Sequence, residues 1–269
     1  MLVNGQHQES LPATDRATHY GDGVFETILI RAGSPVLLSR HLQRLQHASQ
    51  RLQIPLDPAE LQAEVVQLLS EQNPQTGVLK ILLSRGSGGR GYTPPAHPQP
   101  TRMLQLHPLP AEYARHAADG IHATRCQHPL SVNPALAGLK HLNRLDQVMA
   151  SLELSADTQE GLMCDPDGTL IEGIKSNVFV HDGKQWLTPD LHACGVNGIM
   201  RQWLLQKAAP VQVSVLREET LLTAEEVFVC NSVFGIWPVR TLQWGPHARH
   251  IGIGARTRHL QSLFEVCQE

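Results

Sequence analysis

The chain has 269 residues, of which 41% are hydrophobic and 17% are charged, and it carries a formal net charge of −3. This composition predicts a folded protein of one large domain or two modest ones, and it excludes a disordered chain. The small net charge gives no sign of a nucleic-acid or anionic-membrane partner, and no apolar run is long enough to span a membrane.

The cysteines and the amino terminus predict a protein of the cytoplasm. The odd number of scattered cysteines, with no C-x-x-C pair, is typical of reduced thiols. The stretch MLVNGQHQES has no basic region followed by an apolar core, so we expect no secretory signal. The histidines show no ligand spacing, so we expect no metal site. The cysteines are Cys126, Cys164, Cys194, Cys230 and Cys267.

The first part of the chain predicts a small α+β domain over residues 1–110, followed by a connector over 111–120. Apolar residues on both faces of 24–38 predict a buried strand that is interrupted by a turn at Gly33. Ser39 is expected to cap an amphipathic helix that ends at Leu52, and Asp57 to cap a second helix. Two further strands, 77–84 and 102–109, flank a glycine-rich loop.

The second part, residues 121–269, predicts a larger, strand-rich domain. The expected strands include two hairpins, which turn at Asp167-Gly168 and at Asp182-Gly183. The expected helices are 140–154, 198–209 and 256–266, and further strands are expected at 121–127, 211–216 and 225–232. The whole chain is therefore predicted to be an α+β protein of two domains.

The glycine-rich loop GSGGRG, residues 86–91, matches the pattern G-x-G-x-x-G of dinucleotide-binding proteins. That fingerprint needs a helix directly after it, and the proline-rich YTPPAHPQP that follows here forbids one. Two interpretations remain. The loop is either a solvated hairpin tip, or a wall that presents Arg85, Arg90 and Tyr92 to an anionic substrate, since guanidinium groups bind carboxylates in a fork.

A lone lysine, Lys140, stands directly after the apolar run LAGL. It is either a surface lysine at the start of a helix or an amine that attacks a carbonyl group, which it can do only when neutral.

A second feature is the stretch GVNGIMRQW, where a glycine-bearing turn enters a helix. The free N–H groups of such a helix start suit a phosphate.

Several segments, taken in order, resemble the fold-type IV pyridoxal-phosphate enzymes, a family that includes branched-chain and D-amino-acid aminotransferases and 4-amino-4-deoxychorismate lyases. The resemblance extends over about residues 1–240. The pair SRGSGGRGY and LAGLKHLNRL resembles the lyase branch in particular, and Met200 stands where branched-chain enzymes typically have threonine. The segments are DRATHYGDGVFETI, RHLQRL, SRGSGGRGY, AGLKHLNRL, EGIKSNVF and GVNGIMR.

The resemblance implies a two-domain fold of the D-amino-acid aminotransferase type and the cofactor pyridoxal 5′-phosphate. Lys140 would bond to the cofactor aldehyde, and Glu172 would face the pyridine nitrogen. Arg44, the helix start and Asn231 would hold the phosphate, with Ser176 and Asn177 in support. The implied cofactor-binding residues are Arg44, Lys140, Glu172, Ser176, Asn177, Ile199, Met200 and Asn231. The implied substrate-binding residues are Arg90 and Tyr92, and the basic residues Arg85 and His141 are further candidates for an anionic substrate.

The resemblance also implies an activity. The expected reaction removes pyruvate from 4-amino-4-deoxychorismate and leaves 4-aminobenzoate for folate biosynthesis, with Lys140 as the catalytic base. The alternative is amino transfer from D- or branched-chain amino acids on the same cofactor site. The family is typically homodimeric, so we expect a homodimer that has a small-molecule substrate and binds neither nucleic acid nor a membrane.

Overall fold

The computed structural model describes residues 1–208 and 210–267, which form two compact units. The first unit contains residues 1–109 and Lys140–Asn143, and the second contains Pro110–Leu139 and Arg144–Cys267. The segment that the sequence suggested as a connector, 111–120, contains a helix. No helix in the described ranges is both long and apolar enough to cross a membrane.

The first unit is built on a six-stranded sheet in which every strand pairs antiparallel to its neighbours, in the order β2-β1-β6-β5-β3-β4. Its strands are Leu2–Val3 (β1), Gln6–His7 (β2), Gly23–Arg31 (β3), Ser34–Pro35 (β4), Thr76–Ser84 (β5) and Thr101–His107 (β6). Its helices are Arg16–Tyr20 (α1), Leu38–Leu52 (α2) and Pro58–Gln72 (α3). The long strand β3 is buried on both faces, as its sequence predicted.

Of the two helix caps predicted for the first unit, one is confirmed and the other is wrong. Asp57 caps α3 as predicted, because its carboxylate accepts a hydrogen bond of 2.8 Å from the Ala59 N–H. Ser39 does not cap α2. That helix begins after Leu37, a buried residue with a φ of 57°, whose carbonyl accepts from His41 N–H. The helix therefore begins without a side-chain cap.

The second unit is built on a nine-stranded mixed sheet in the order β12-β11-β10-β13-β14-β7-β8-β9, with β15 paired to β14. Its strands are Ile121–Arg125 (β7), Glu160–Cys164 (β8), Leu170–Gly173 (β9), Asn177–His181 (β10), Trp186–Pro189 (β11), Val211–Ser214 (β12), Glu226–Asn231 (β13), Gly235–Trp244 (β14) and His247–His250 (β15). Its helices are Glu112–Asp119 (α4), Leu145–Ser151 (α5), Ile199–Lys207 (α6), Glu218–Thr223 (α7) and Ala255–Glu265 (α8). The strands of this sheet contribute Val178, Val229 and Trp237 to a hydrophobic core.

Both predicted hairpins are confirmed. Strands β8 and β9 pair antiparallel across the turn at Asp167-Gly168, where the carboxylate of Asp165 accepts from the N–H of Asp167. Strands β10 and β11 pair in the same way across Asp182-Gly183. Helix α6 ends at Lys207, and the expected end of that helix at Ala209 lies outside the described residues.

The helix predicted to begin at Lys140 begins only at Leu145. The backbone before it is already paired with β3, because Phe25 N–H donates to the Lys140 carbonyl and Leu142 N–H donates to the Gly23 carbonyl, both at 3.0 Å. Lys140 therefore lies in an extended segment of the first unit, whereas the sequence had assigned it to a helix of the larger domain.

Candidate active site

Lys140 lies against an aromatic ring of the neighbouring strand. Its Nζ atom is 4.2 Å from the centre of the Phe25 ring. The backbone bonds to β3 fix the position of the lysine main chain, so its amine is presented from a rigid edge rather than from a flexible helix end. A rigid backbone position is what a nucleophilic amine needs, since small displacements of a reacting group lower the rate strongly.

A buried carboxylate, Glu26, binds two side chains of α2. Arg44 donates from Nε to Oε1 at 2.8 Å and from its terminal nitrogen to Oε2 at 2.5 Å. Nδ1 of His41 lies 2.6 Å from Oε2. Burial raises the pKa of Glu26, but Arg44 and His41 outweigh this effect and bring that pKa to about 2.

The histidine of this cluster responds to the charges around it. Burial lowers the pKa of His41, Glu26 opposes that change, and the charges of Arg44 and Lys140 lower the pKa further. The net shift is downward, so we assign a neutral imidazole that donates its Nδ1–H to Glu26. The charges of Lys140 and Arg44, both predicted site residues, thus both act on the pKa of this histidine.

Sequence reasoning missed Glu26 and His41, although both left a signal. Glu26 is a charged residue inside the otherwise apolar strand VFETILI, and a buried carboxylate needs a cationic partner. His41 precedes Arg44 by three residues, so both side chains lie on one face of α2. The missing information was that β3 and this face of α2 pack together.

Replacing Glu26 by glutamine is expected to destabilise the fold by about 3 kcal/mol, because it leaves partly buried Arg44 without its counter-charge. The folded-state pKa of Glu26 lies below its ordinary value of 4.5. Its contribution to stability is therefore complete above pH 4.5 and is lost as the pH falls towards 2. Urea unfolding between pH 7 and pH 3 should show a flatter acid limb in Glu26→Gln than in the wild type.

Glu60→Gln is the matched control for this change, since the Glu60 side chain also pairs with an arginine but is 58% exposed. Exposed ion pairs contribute little to stability. Equal losses of stability in both variants would contradict the role assigned to the buried cluster.

Arg85 lies inside the first unit with its guanidinium group occupied. It donates to the carboxylate of Asp22 at 2.8 and 3.1 Å, and to the carbonyls of Leu52 and Gln53 at 2.8 Å each. Burial raises the pKa of Asp22, but hydrogen bonds from Arg85 and Arg16 bring it below its usual range. These bonds give Arg85 a structural role at the end of α2. Its predicted contact with substrate has no support from them and stays a prediction.

The other predicted substrate residues are differently placed. Arg90 and Tyr92 are exposed on the glycine-rich loop, and the Tyr92 ring meets the Tyr20 ring edge-on at 5.4 Å between centres. His141 pairs through its backbone with Val24 of β3. The exposed loop side chains are accessible to a ligand, and their predicted roles stay predictions.

In the second unit, Glu172 and Asn177 hold the turn that precedes α6. Glu172 is 3% exposed, and its carboxylate accepts from the Val196 N–H at 2.7 Å and from the Gln147 side chain at 3.3 Å. The Asn177 amide accepts from the Gly198 N–H at 3.1 Å and donates to the Val196 carbonyl at 2.9 Å. The side chains of the EGIKSN segment therefore shape the turn before the helix.

The first turn of α6 presents its N–H groups without a capping side chain. The preceding residue, Gly198, is extended and makes no side-chain cap. A Cβ atom at Gly198 would come within 2.0 Å of the Asn177 oxygen, so only glycine fits there. Within the described residues, the N–H groups at Ile199 and Met200 thus lack a side-chain acceptor, and the helix dipole favours an anion at this position.

Ser176 and Asn231 use their side chains within the protein. Ser176 Oγ donates to the buried carboxylate of Glu160 at 2.8 Å. The Asn231 oxygen accepts from the N–H groups of Val233 and Phe234 at 2.9 Å each, and its amide donates to the Lys175 carbonyl at 3.0 Å. Both side chains shape turns, and their predicted cofactor contacts stay predictions.

A surface depression of about 490 Å³ also lies in the second unit, and it contains none of the predicted site residues. Its lining includes His181, Lys184, Lys207, Arg256 and His259. Arg256 is paired with Glu225 and Glu226, at 3.0 and 3.3 Å. Among the residues that the structure describes, no group of three or more His, Cys, Asp or Glu side chains is arranged to hold a metal ion.

Comparison with known proteins gives full-length matches. The chain is 32% identical over 264 residues to the aminodeoxychorismate lyase of Vibrio harveyi, which covers 96% of this chain and 97% of that protein. The crystal structure of 4-amino-4-deoxychorismate lyase from Pseudomonas aeruginosa is 43% identical, covers 98% and 97% of the two chains, and superposes with a TM-score of 0.92.

A third match concerns the fold alone. The PLP-bound form of a hypothetical aminotransferase from Mycobacterium tuberculosis is 24% identical, with a TM-score of 0.82 over 97% of this chain and 93% of that one. These matches confirm the predicted two-domain, fold-type IV architecture. The family model of the class IV amino-transferases matches residues 23–242. This chain therefore belongs to the amino-transferase class IV family.

Proposed function

We propose that this chain is an aminodeoxychorismate lyase, which converts 4-amino-4-deoxychorismate to 4-aminobenzoate and pyruvate for folate biosynthesis. The observation that carries the proposal is similarity along the whole chain: both lyases described above exceed 30% identity, whereas the aminotransferase described beside them stands at 24%. The presence of Lys140 at an edge that is rigid and next to an aromatic ring agrees with it.

The residues fit pyridoxal phosphate as the cofactor. A primary amine at Lys140 is available to bond its aldehyde, and the buried carboxylate of Glu172 suits a protonated ring nitrogen. The uncapped start of α6, at Ile199 and Met200, suits its phosphate. We also assign Arg44 to this phosphate, although Glu26 already binds its Nε and one terminal nitrogen. We also propose Ser176, Asn177 and Asn231 as cofactor-binding residues, whose side chains hold turns of the second unit.

Lys140 would carry the proton transfers of the reaction. Bound pyridoxal phosphate supplies an electron sink for the pair that remains when a C–H bond is broken. Lys140 takes the proton from the carbon that bears the substrate amine. The bond from the neighbouring carbon to the enolpyruvyl oxygen then breaks, and the ring becomes aromatic. Lys140 returns the proton to the methylene carbon of the departing enol, which leaves as pyruvate. No water or oxidant is consumed.

The glycine-rich loop would recognise the substrate, which carries two carboxylates. Arg90 is exposed on this loop, and a guanidinium group binds a carboxylate through two parallel hydrogen bonds. Tyr92 is 87% exposed beside it. We therefore assign Arg90, with Tyr92, to one carboxylate. Under this assignment the exposed loop binds substrate, whereas the alternative, a solvated hairpin tip, would bind nothing.

The proposed function is tested by a direct assay. Purified protein, pyridoxal phosphate and enzymatically generated 4-amino-4-deoxychorismate are mixed, and 4-aminobenzoate is followed by its fluorescence. D-alanine or a branched-chain amino acid with 2-oxoglutarate is assayed in parallel. Formation of 4-aminobenzoate with little amino transfer supports the lyase. Amino transfer without 4-aminobenzoate would replace it by the alternative, an aminotransferase that uses the same cofactor site.

We further propose that the protein is a cytoplasmic homodimer that associates through α5. One face of this helix is apolar and exposed: Leu145 is 76% exposed, Val148 50% and Met149 47%, and Leu152, directly after the helix, is 75% exposed. This spacing forms a continuous stripe. Soluble monomers rarely expose such contiguous apolar surface, so a second copy of the chain is the proposed partner.

Replacing Leu145 by lysine is expected to weaken dimerisation about tenfold or more, since it places a charge in an apolar interface. Sedimentation equilibrium of the cofactor-loaded protein measures the dissociation constant. Val66→Lys is the control, because Val66 is 61% exposed on α3 of the other unit. A wild-type protein that sediments as a monomer would overturn the proposal.

A further inference from the structure

The concave side of the glycine-rich loop is filled by a side chain of the protein itself. The guanidinium group of Arg16 donates to the carbonyls of Gly91 at 3.0 Å, Tyr92 at 3.2 Å, Gly88 at 3.3 Å and Thr93 at 3.5 Å. Its Nε donates to Asp22 at 2.7 Å. Arg16 is only 4% exposed, so the loop encloses it.

One glycine of the loop, Gly89, lies close to this enclosed cation. Gly88 and Gly89 have φ values of 112° and 79°, which glycine adopts without strain. A Cβ atom at Gly89 would lie 2.3 Å from the Thr93 carbonyl and 3.1 Å from the Arg16 guanidinium. Phosphate-binding loops turn their N–H groups inward, whereas this loop turns carbonyls inward. The pattern G-x-G-x-x-G here therefore surrounds a guanidinium group.

Arg16 is itself fixed by neighbouring acidic residues. The carboxylate of Asp15 is fully buried and accepts from the hydroxyls of Ser84 and Thr101, at 2.7 Å each. These residues belong to the two strands that flank the loop. Asp22 binds both Arg16 and Arg85. The Arg16 backbone N–H also donates to the Gly86 carbonyl at 3.0 Å. Contacts with the strands that flank the loop thus fix the position of Arg16, and Arg16 binds the carbonyls of the loop.

Arg16 is linked to Tyr92 through the ring of Tyr20, which contacts both side chains. The Arg16 guanidinium carbon lies 4.8 Å from the centre of the Tyr20 ring, and the Tyr20 ring contacts the Tyr92 ring edge-on. The Arg90 backbone is part of the same tight turn, since Thr93 N–H donates to its carbonyl at 3.2 Å. Both proposed substrate residues therefore depend on the turn that surrounds Arg16.

We propose that Arg16 is a positioning residue for substrate recognition, which acts by fixing the loop 88–93 that carries Arg90 and Tyr92. The proposal rests on the proposed function for its effect on substrate affinity. Without Arg16, a glycine-rich loop gains conformational freedom, and substrate binding must then order it. The Michaelis constant should rise, whereas turnover and cofactor retention should change little, because Arg16 touches neither the reacting atoms nor Lys140.

The first test measures loop order without reference to any reaction. Arg90 is an exposed trypsin site, and its cleavage by dilute trypsin reports opening of the loop. Arg16→Lys keeps the charge but replaces the planar fork by a single ammonium group. We expect cleavage at Arg90 in Arg16→Lys to be about tenfold faster, the effect of losing one charge-assisted hydrogen bond. Arg90→Ala identifies the cleavage product by its absence.

The second test measures KM, kcat and cofactor content of the holoenzyme. Arg16→Lys should raise KM about tenfold for the same physical reason, with kcat and bound cofactor close to wild type. Arg102→Gln is the control, because Arg102 is a partly buried arginine of the same unit that binds Glu64 at 2.8 Å and Glu60 at 3.1 Å. A general loss of packing would affect both variants alike.

The outcomes separate this inference from the proposed function. Unchanged cleavage and KM in Arg16→Lys would overturn the inference, as would parallel losses of kcat, cofactor and stability that Arg102→Gln reproduces. If the wild type forms no 4-aminobenzoate, the lyase assignment fails. KM is then measured with the amino donor that the enzyme does use, and faster cleavage with raised KM still supports Arg16 as a positioning residue.

Discussion

Lys140→Ala is expected to lower the rate of 4-aminobenzoate formation by about 10⁴-fold or more, because in the proposed mechanism this one residue supplies both the amine that bonds the cofactor and the proton transfers. The visible absorbance of bound cofactor should disappear in the same variant. Stability should change little, since the backbone bonds from Phe25 and to Gly23 that hold this segment do not involve the lysine side chain.

Two controls make this result specific. Lys184→Ala removes a lysine that is exposed in the second unit and should leave activity and absorbance unchanged. Addition of a small primary amine should restore part of the activity of Lys140→Ala, because it supplies the missing base. Full activity of Lys140→Ala would refute the assignment of this lysine.

Glu172→Gln is expected to lower kcat by about 10²- to 10³-fold, the usual effect of removing one electrostatic partner of a developing charge. The amide has the same shape and can still accept the hydrogen bond from Val196 N–H, but it lacks the charge that would keep the ring nitrogen protonated. The turn before α6 should therefore persist, and the cofactor should remain bound. Steady-state kinetics and a cofactor titration measure the two effects separately.

Glu160→Gln is the control for this second prediction. Glu160 is also fully buried in the second unit, and burial raises its pKa, although Lys175 and the hydrogen bond from Ser176 oppose that change. Glutamine keeps an oxygen that can accept from the Ser176 hydroxyl, and no cofactor role is proposed for Glu160, so this change should lower kcat far less. Equal losses of kcat in the two variants would show that Glu172 acts only through packing.

The sequence by itself was sufficient for the features that depend on local order. Hairpin turns at Asp167-Gly168 and Asp182-Gly183 and the cap at Asp57 are set by residues a few positions apart, and all were confirmed. The prolines after the glycine-rich loop excluded a dinucleotide site in the same way, and no helix follows that loop. Motif order along the chain also indicated the family, which the family model confirms.

Only the tertiary structure shows which basic side chains already bind other groups of the protein, and which residues lie beside Lys140. Arg85 looked available for a ligand, yet its partners are Asp22 and carbonyls of α2. Arg16 attracted no attention, yet it binds a loop more than 70 residues away in the chain. Neither result follows from local pattern, because hydrogen bonds between distant segments depend on strand register and on the packing of α2.

Lys140 shows most clearly which features the sequence determines and which depend on the tertiary structure. The resemblance implies that it is the reactive amine, and the pattern KHLNRLDQV placed it on a helix, because that pattern has helical spacing. In the structure, pairing with β3 takes up the backbone hydrogen bonds of this segment, and the helix begins five residues later. Chemistry is encoded in residue types and their order. The backbone position of that chemistry depends on partners brought together by folding, for which a single sequence carries no local signal.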